Sequence, residues 1–367
     1  LILLNDGLGN LYEDPNFINV SDIPEVHAAY RMKVADFNSD GKDDIFIASF
    51  GKYVCGEDNT CVSESANHGL LITTEDKMVS YNQHIVDDND GKGFLRPSHD
   101  ASAGDIDGDG DIDIVAGAYI MYNDGDGIFS KYKDLETSWY GGFDEYDQYT
   151  QNPIDASSVA DFNGDGIDDI VLWFRGGSES LCSTGNSNQT AEAYCSGYIK
   201  FGPISETDNV HVNDDLTRLN NGDGYYGLNT YFNNSVTGDI DGDGDIDILV
   251  GETRKVPYYN GRTVQILIND GDGNFEDKTD IMYPNQLRTG LAETVASIGI
   301  GEGDVYMVDF DGDGDMDIID NVGGCDINTN CKEYADTSRT AIALNDGNNL
   351  FIEIPHDFLP ERLEMHM

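Results

Sequence analysis

The sequence predicts an all-β fold, a β-propeller of four-stranded antiparallel blades, and three repeated features predict it. The pattern D-x-[DN]-x-D-G-x-x-D occurs five times: "DFNSDGKDD" at 36–44, "DIDGDGDID" at 105–113, "DFNGDGIDD" at 161–169, "DIDGDGDID" at 239–247 and "DFDGDGDMD" at 309–317. A short apolar, β-branched-rich run follows each copy, "IFIAS", "IVAGA", "IVLWF", "ILVGE" and "IID", and such runs bounded by glycine or polar residues read as buried strands. An Asn-Asp-Gly element recurs between the copies: "NDGLGNL" at 5–11, "NDGKGFL" at 89–95, "NDGDGIF" at 123–129, "NNGDGYY" at 220–226, "NDGDGNF" at 269–275 and "NDGNNLF" at 345–351. Asn-Asp-Gly favours the positive φ angles of a hairpin turn. Each unit therefore reads as strand, aspartate loop, strand, variable loop, strand, Asn-Asp-Gly turn, strand. Repetition of such a unit is the signature of propeller blades.

The aspartates point to a cation. Two like charges about 4 Å apart repel by roughly 1 kcal/mol in water and by more inside a protein, so several carboxylates turned to one centre need a cation between them. Hard, flexibly arranged oxygen donors suit calcium. Positions one, three and five supply side-chain oxygens: Asp36, Asn38 and Asp40; Asp105, Asp107 and Asp109; Asp161, Asn163 and Asp165; Asp239, Asp241 and Asp243; Asp309, Asp311 and Asp313. Position six is always glycine, where the chain turns sharply. Position seven varies (Lys42, Asp111, Ile167, Asp245, Asp315), which makes sense if the backbone carbonyl is the ligand there. Position nine is always aspartate (Asp44, Asp113, Asp169, Asp247, Asp317) and is assigned as the closing carboxylate. A helix-loop-helix calcium hand needs a glutamate at position twelve; here that position holds Ile47, Ala116, Leu172, Val250 and Asp320. The expectation is about five Ca²⁺ ions, held in loops inside β-hairpins.

These loops, with their apolar strands and "LINDGDGNF"-type turns, resemble VCBS/FG-GAP repeats, the calcium-loop blades of propellers similar to the integrin α-subunit head. The resemblance runs from residue 1 to about 355. It implies that each loop joins the two innermost strands of a blade. As a single domain, 1–367, the chain divides into a partial blade and connection at 1–33, calcium-loop blades at 34–102, 103–158, 159–236, 237–306 and 307–355, and a C-terminal segment at 356–367. It opens at "LILLNDG", midway through a blade, and "HDFLPERLEMHM" carries no sixth loop. Either that segment completes the first half-blade or the ends are processed or missing; the total is six or seven blades. From each Asn-Asp-Gly turn to the next aspartate loop the separation alternates, 31, 16, 38, 19 and 40 residues, and cysteines fall only in the first, third and fifth full blades, as in a two-blade duplication.

Composition narrows the function. The formal net charge is −50, of which five divalent cations would offset only a small part. Nucleic acid needs Lys and Arg to neutralise its phosphates, so that partner is excluded, and membrane insertion finds no span of about 20 apolar residues. The acidity fits an extracellular or saline setting. Six cysteines form three local pairs, Cys55–Cys61, Cys182–Cys195 and Cys325–Cys331. Their spacing does not match zinc ligation, and disulfides imply an oxidising compartment. Asn19, Asn188 and Asn233 stand in N-x-[ST] sequons, candidate glycosylation sites.

No H-E-x-x-H, G-x-S-x-G or phosphate-cradling loop is present, and most carboxylate pairs are better explained as calcium ligands, so the expectation is a chain that is not an enzyme. Aromatic-rich loops at 138–149 and 225–232 offer Trp139, Tyr140, Phe143, Tyr146 and Tyr149 as ligand contacts, or as packing between blades. Three functions follow. One is a secreted or cell-surface, calcium-stabilised propeller acting as a non-catalytic adhesion, binding or extracellular assembly module, its partner a protein, a glycan or copies of itself. The second is a glycan-binding lectin. The third is a polysaccharide-degrading enzyme or its ancillary domain.

Overall fold

The computed structural model describes residues 3–8, 10–14, 16–18, 26, 29–49, 52–55, 61–64, 68–75, 77–81, 85, 98, 100–117, 119–135, 154–174, 196–210, 215–226, 230–254, 262–286, 303–322 and 340–354. The chain forms two compact units, one of Leu1–Glu136, Gly141–Thr150 and Ile204–Asp208, the other of Thr137–Tyr140, Gln151–Pro203 and Asn209–Met367. The fold class is the expected one, all-β with five four-stranded antiparallel propeller blades.

The first unit opens with a hairpin, β1 (Leu4–Asn5) and β2 (Leu11–Tyr12). Its first blade is β3 (Ala29–Ala35), β4 (Asp44–Ser49), β7 (Gly69–Thr73) and β8 (Met78–Ser80), in that order across the sheet. A side hairpin, β5 (Lys52–Cys55) and β6 (Cys61–Glu64), is inserted between β4 and β7. The second blade is β9 (Ala101–Gly104), β10 (Asp113–Ala116), β11 (Tyr119–Tyr122) and β12 (Lys131–Asp134).

The second unit carries three blades. The third is β13 (Ile154–Ala160), β14 (Asp169–Phe174), β15 (Ser196–Lys200) and β16 (Thr217–Asp223). The fourth is β17 (Thr230–Gly238), β18 (Asp247–Arg254), β19 (Arg262–Asn269) and β20 (Phe275–Asp277), followed by one helical turn, α1 (Thr279–Met282). The fifth is β21 (Gly303–Val308), β22 (Asp317–Val322), β23 (Ala341–Asn345) and β24 (Phe351–Glu353). Each sheet takes in the strand ahead of its aspartate loop, so the observed blades span 29–80, 101–134, 154–223, 230–277 and 303–353.

One register recurs in all five blades. The residue before position one pairs with the aspartate at position nine: Ala35 with Asp44, Gly104 with Asp113, Ala160 with Asp169, Gly238 with Asp247 and Val308 with Asp317. Each aspartate loop is thus a hairpin connection, and the strand ahead of it is an edge strand. The apolar runs that follow are continuous because both sheet faces are covered. In β18, Ile248 and Val250 pack with Phe162, Val171 and Trp173 of the third blade, whereas Leu249 packs with Val305, Ile318 and Phe351 on the side of the fifth. In the first unit, Phe37, Phe46 and Leu70 of the first blade meet Ile114, Met121 and Phe129 of the second.

The Asn-Asp-Gly turns behave as expected at 5–11, 123–129, 269–275 and 345–351, where they join β1 to β2, β11 to β12, β19 to β20 and β23 to β24. The copy at 220–226 does not. "NNGD" lies in the outermost strand β16, and the third blade turns between β15 and β16 instead. A bulge in the β15–β16 pairing, with Asn221 at φ 59, absorbs the extra length within the strand. The first blade turns at Thr74–Lys77, closed by Thr74 N–H on the Lys77 carbonyl at 2.7 Å, and 89–95 lies outside the described residues. Among the described residues no helix is long and apolar enough to cross a membrane.

Candidate metal centres

The five loops share one hydrogen-bond scheme. The carboxylate at position one accepts two amides of its own loop. One is the glycine at position six, the other the residue at position four or five, at 2.7–3.2 Å. The position-three oxygen accepts the position-five amide, as in Asn163 at 2.9 Å and Asp107 at 3.2 Å. The position-five carboxylate accepts the position-seven amide at 2.9–3.0 Å. These side-chain turns require the backbone to double back at position six, where Gly41, Gly110, Gly166, Gly244 and Gly314 all have φ between 86° and 100°, a conformation that costs glycine little.

Position nine differs from the others. Asp44, Asp113, Asp169, Asp247 and Asp317 are at most 1% exposed, and each carboxylate joins three parts of its blade. Oδ2 accepts the amide of position two (Phe37, Ile106, Phe162, Ile240, Phe310) at 2.7–3.2 Å. Oδ1 accepts an amide at or just beyond the end of the third strand (Thr73, Asn123, Gly202, Asn269, Asn345) at 2.7–2.9 Å. Loop, second strand and outer turn are held by one side chain.

Three loops bring carboxylates together as a metal site requires. Asp105, Asp107 and Asp113 place one oxygen each within 4.8 Å of one another, as do Asp239, Asp241 and Asp247, and Asp309, Asp311 and Asp317. In the first and third loops Asn38 and Asn163 replace the middle carboxylate with an amide oxygen. The position-five residues Asp40, Asp109, Asp165, Asp243 and Asp313 are exposed, and none belongs to these trios.

Charge has been pressed into these sites against resistance. Burial pushes the Asp113 carboxyl up to about 8; its two backbone hydrogen bonds only partly oppose this, and Asp107 and Asp109 add to the rise. Asp247 is pushed up to about 7, and Asp44 and Asp169 to about 6, again by burial first. Asp107, Asp241 and Asp311 are raised in the same way, with their acidic loop neighbours contributing. Among the described residues no lysine or arginine pairs with any position-nine aspartate. Buried position-nine carboxylates with no lysine or arginine paired to them among the described residues fit a bound cation.

Position seven has a role that its variability in the sequence hid. A Cβ at Gly125 would lie 2.7 Å from Asp111 Oδ2, and one at Gly271 would lie 2.5 Å from Asp245 Oδ2; at Gly347 the distance to Asp315 Oδ2 is 3.3 Å. The position-seven carboxylate therefore lies against the glycine of its own blade's Asn-Asp-Gly turn. The signal was present: position seven is aspartate in the blades that use an Asn-Asp-Gly turn and Lys42 or Ile167 in the two that turn otherwise. Burial, then Asp109, Asp105, Asp124 and Asp126, raise the Asp111 carboxyl.

Other expected site residues are placed only in part. The backbone register sets Cys55 opposite Cys61 across β5 and β6. Cys182, Cys195, Cys325 and Cys331 lie outside the described residues, as do Asn19, Asn188 and the aromatic set Trp139, Tyr140, Phe143, Tyr146 and Tyr149. Asn233 is half-buried in β17.

Residues 239–319, from the fourth loop through the fifth, match the family model described as FG-GAP-like repeat. With five four-stranded blades, that match supports a propeller of the FG-GAP, integrin-like kind. No curated protein matches the chain. Among solved structures, the chain is similar to the V. cholerae biofilm matrix protein Bap1, at 14% identity and a TM-score of 0.36. The alignment covers 91% of this chain and 40% of the length of Bap1.

Two outcomes are expected. Asp247→Ala should cost far more stability than Asp245→Ala, because it strands the buried amides of Ile240 and Asn269. At about 1–3 kcal/mol for each unsatisfied donor, the loss is about 2–6 kcal/mol by urea unfolding; equal losses for the two variants would contradict the assigned register. The second concerns pH. In metal-free protein the carboxyls of Asp44, Asp113, Asp169 and Asp247, raised to about 6 to 8, bind protons more tightly folded than unfolded. That stabilisation is complete below about pH 4 and is lost as pH rises through 6 to 8. Chelated protein should melt higher at pH 5 than at pH 8, even in about 0.5 M salt, where general surface repulsion is screened. A melting temperature independent of pH under those conditions would refute the buried-acid description.

Proposed function

We propose that this chain is a calcium-stabilised extracellular β-propeller that acts by binding, as an adhesion or assembly module, without catalysing a reaction. The observation that carries the reading is the five-fold repetition of one loop that ends in a buried, doubly hydrogen-bonded aspartate. The three carboxylate trios, and the equivalent side chains of the first and third loops, would hold Ca²⁺, which takes many oxygen ligands in flexible geometry, whereas Mg²⁺ demands a near-ideal octahedron and keeps its waters. Bound there, calcium supplies charge neutralisation and cross-links each loop, so its binding free energy becomes folding free energy. High negative charge, and a backbone register that sets Cys55 opposite Cys61, agree with an oxidising, calcium-rich surrounding.

Metal analysis after dialysis against trace calcium should find about five calcium ions per chain, and melting should fall steeply with chelator and recover with millimolar calcium. Two ions or fewer, or an unchanged melting temperature after verified metal removal, would defeat the reading. Screening of the calcium-loaded chain on glycan and extracellular-protein arrays separates a sugar ligand from a protein one. Hydrolysis of an acidic polysaccharide, abolished by changing one carboxylate outside the loops, would establish an enzyme instead.

The cysteine pairs give an independent test of compartment. Non-reducing peptide analysis should link Cys55 to Cys61, Cys182 to Cys195 and Cys325 to Cys331; free thiols at all six positions would remove the case for export.

A further inference from the structure

The first residue of two Asn-Asp-Gly turns reaches out of its own blade. Asn123 donates its backbone N–H to Asp113 Oδ1 at 2.8 Å, and its side-chain amide donates to the carbonyl of Phe37 at 2.7 Å, in the loop of the first blade. The same Nδ2 also donates to Ile112 O at 3.1 Å. Phe37 in turn donates its backbone N–H to Asp44 Oδ2 at 3.0 Å. The second unit repeats this. Asn269 N–H is on Asp247 Oδ1 at 2.8 Å and Asn269 Nδ2 on the Phe162 carbonyl at 2.8 Å, while Phe162 N–H is on Asp169 Oδ2 at 3.0 Å. In both pairs, two buried carboxylates of adjacent blades are joined through one asparagine and the backbone N–H and C=O of one phenylalanine. Ring contacts reinforce each junction, Phe37 on Phe129 with centroids 5.8 Å apart and Phe162 on Phe275 at 5.5 Å.

The relay belongs to particular blades. In the first and third, the amide on the position-nine carboxylate comes from Thr73 and Gly202, which have no side-chain amide to extend. In the fifth it comes from Asn345, and a different residue, Asn349, meets the Asp241 carbonyl at 3.4 Å.

We infer that Asn123 and Asn269 are positioning residues that couple cation binding in neighbouring loops, the first with the second and the third with the fourth. The inference rests on the calcium reading above. A cation drawing on Asp247 fixes where Asn269 begins its turn. Asn269 then holds the carbonyl of Phe162, the residue between Asp161 and Asn163 in the third loop. Loop three is thereby ordered before its own ion arrives, and linkage makes the effect reciprocal.

The test is amide hydrogen exchange of the full chain, read by mass spectrometry loop by loop as calcium is raised. Asp241→Ala empties the fourth loop at the cost of one 3.3 Å hydrogen bond from the Asp243 amide. It should raise the calcium midpoint for protection of 161–169 about five-fold or more and leave 36–44 unchanged. Asn269→Leu keeps the side-chain volume and removes the relay; in that background Asp241→Ala should no longer move the midpoint of 161–169. An unmoved midpoint in the single variant, the same shift in both backgrounds, or an equal shift in 36–44 would each overturn the coupling. If Asn269→Leu loses protection across β18 and β19 at saturating calcium, Asp107→Ala and Asn123→Leu, read at 36–44 with 161–169 as the reference, decide the matter by the same criteria. Absence of calcium-dependent protection in every loop would instead refute the calcium reading itself.

Discussion

Each blade depends on one buried carboxylate. The aspartate at position nine begins the second strand, accepts an amide from the loop behind it and accepts another from the far end of the third strand. Removing it leaves two backbone donors without partners, both of them buried in the second and fourth blades, a larger penalty there than the gain from any single surface ion pair. Burial raises the proton affinity of that carboxyl in the first four blades. The surrounding aspartates are intelligible as the answer to that difficulty. In three loops they gather carboxylates into a group that could hold a metal ion; a divalent cation there would offset the desolvation of a group that the backbone cannot do without.

This constraint organises the packing as well as the chemistry. With the loop and the third strand held together, position two is presented at a constant place, and an apolar residue there (Phe37, Ile106, Phe162, Ile240) is buried at 0–2% exposure. The fifth loop shows what an uncovered position two looks like: Phe310 is 48% exposed, while its amide still reaches Asp317 at 2.8 Å. The hydrogen-bond scheme is therefore internal to the blade, and burial of position two is a property of what stacks on it. That separation agrees with repeat architectures, where intrinsic and neighbour terms add.

The loops, their register and the fold class were legible because they follow from local rules: a period-two acid pattern, a glycine at the point of reversal and a continuous apolar run that only a strand covered on both faces can use. What misled was composition without context. "NNGDGYY" carries the letters of a turn, yet strand pairing with Ser196–Lys200 and a tolerated positive φ at Asn221 kept it in β16. The side chains of Asn123 and Asn269 were illegible for a different reason. Their partners, Phe37 and Phe162, are 86 and 107 residues away, and no local pattern states which loop a turn will stack upon.

The glycine pressed against position seven sets a limit on how such a chain can be rebuilt. In the second and fourth blades the loop and the outer turn occupy one another's space, at Asp111 with Gly125 and at Asp245 with Gly271. A loop grafted from the first blade would bring Lys42 against that glycine, and an alanine in the turn would collide with the resident carboxylate. The smallest transplantable piece is therefore neither the nine-residue loop nor the turn alone but the whole span from 105 to 129, or from 239 to 275, moved as one cassette.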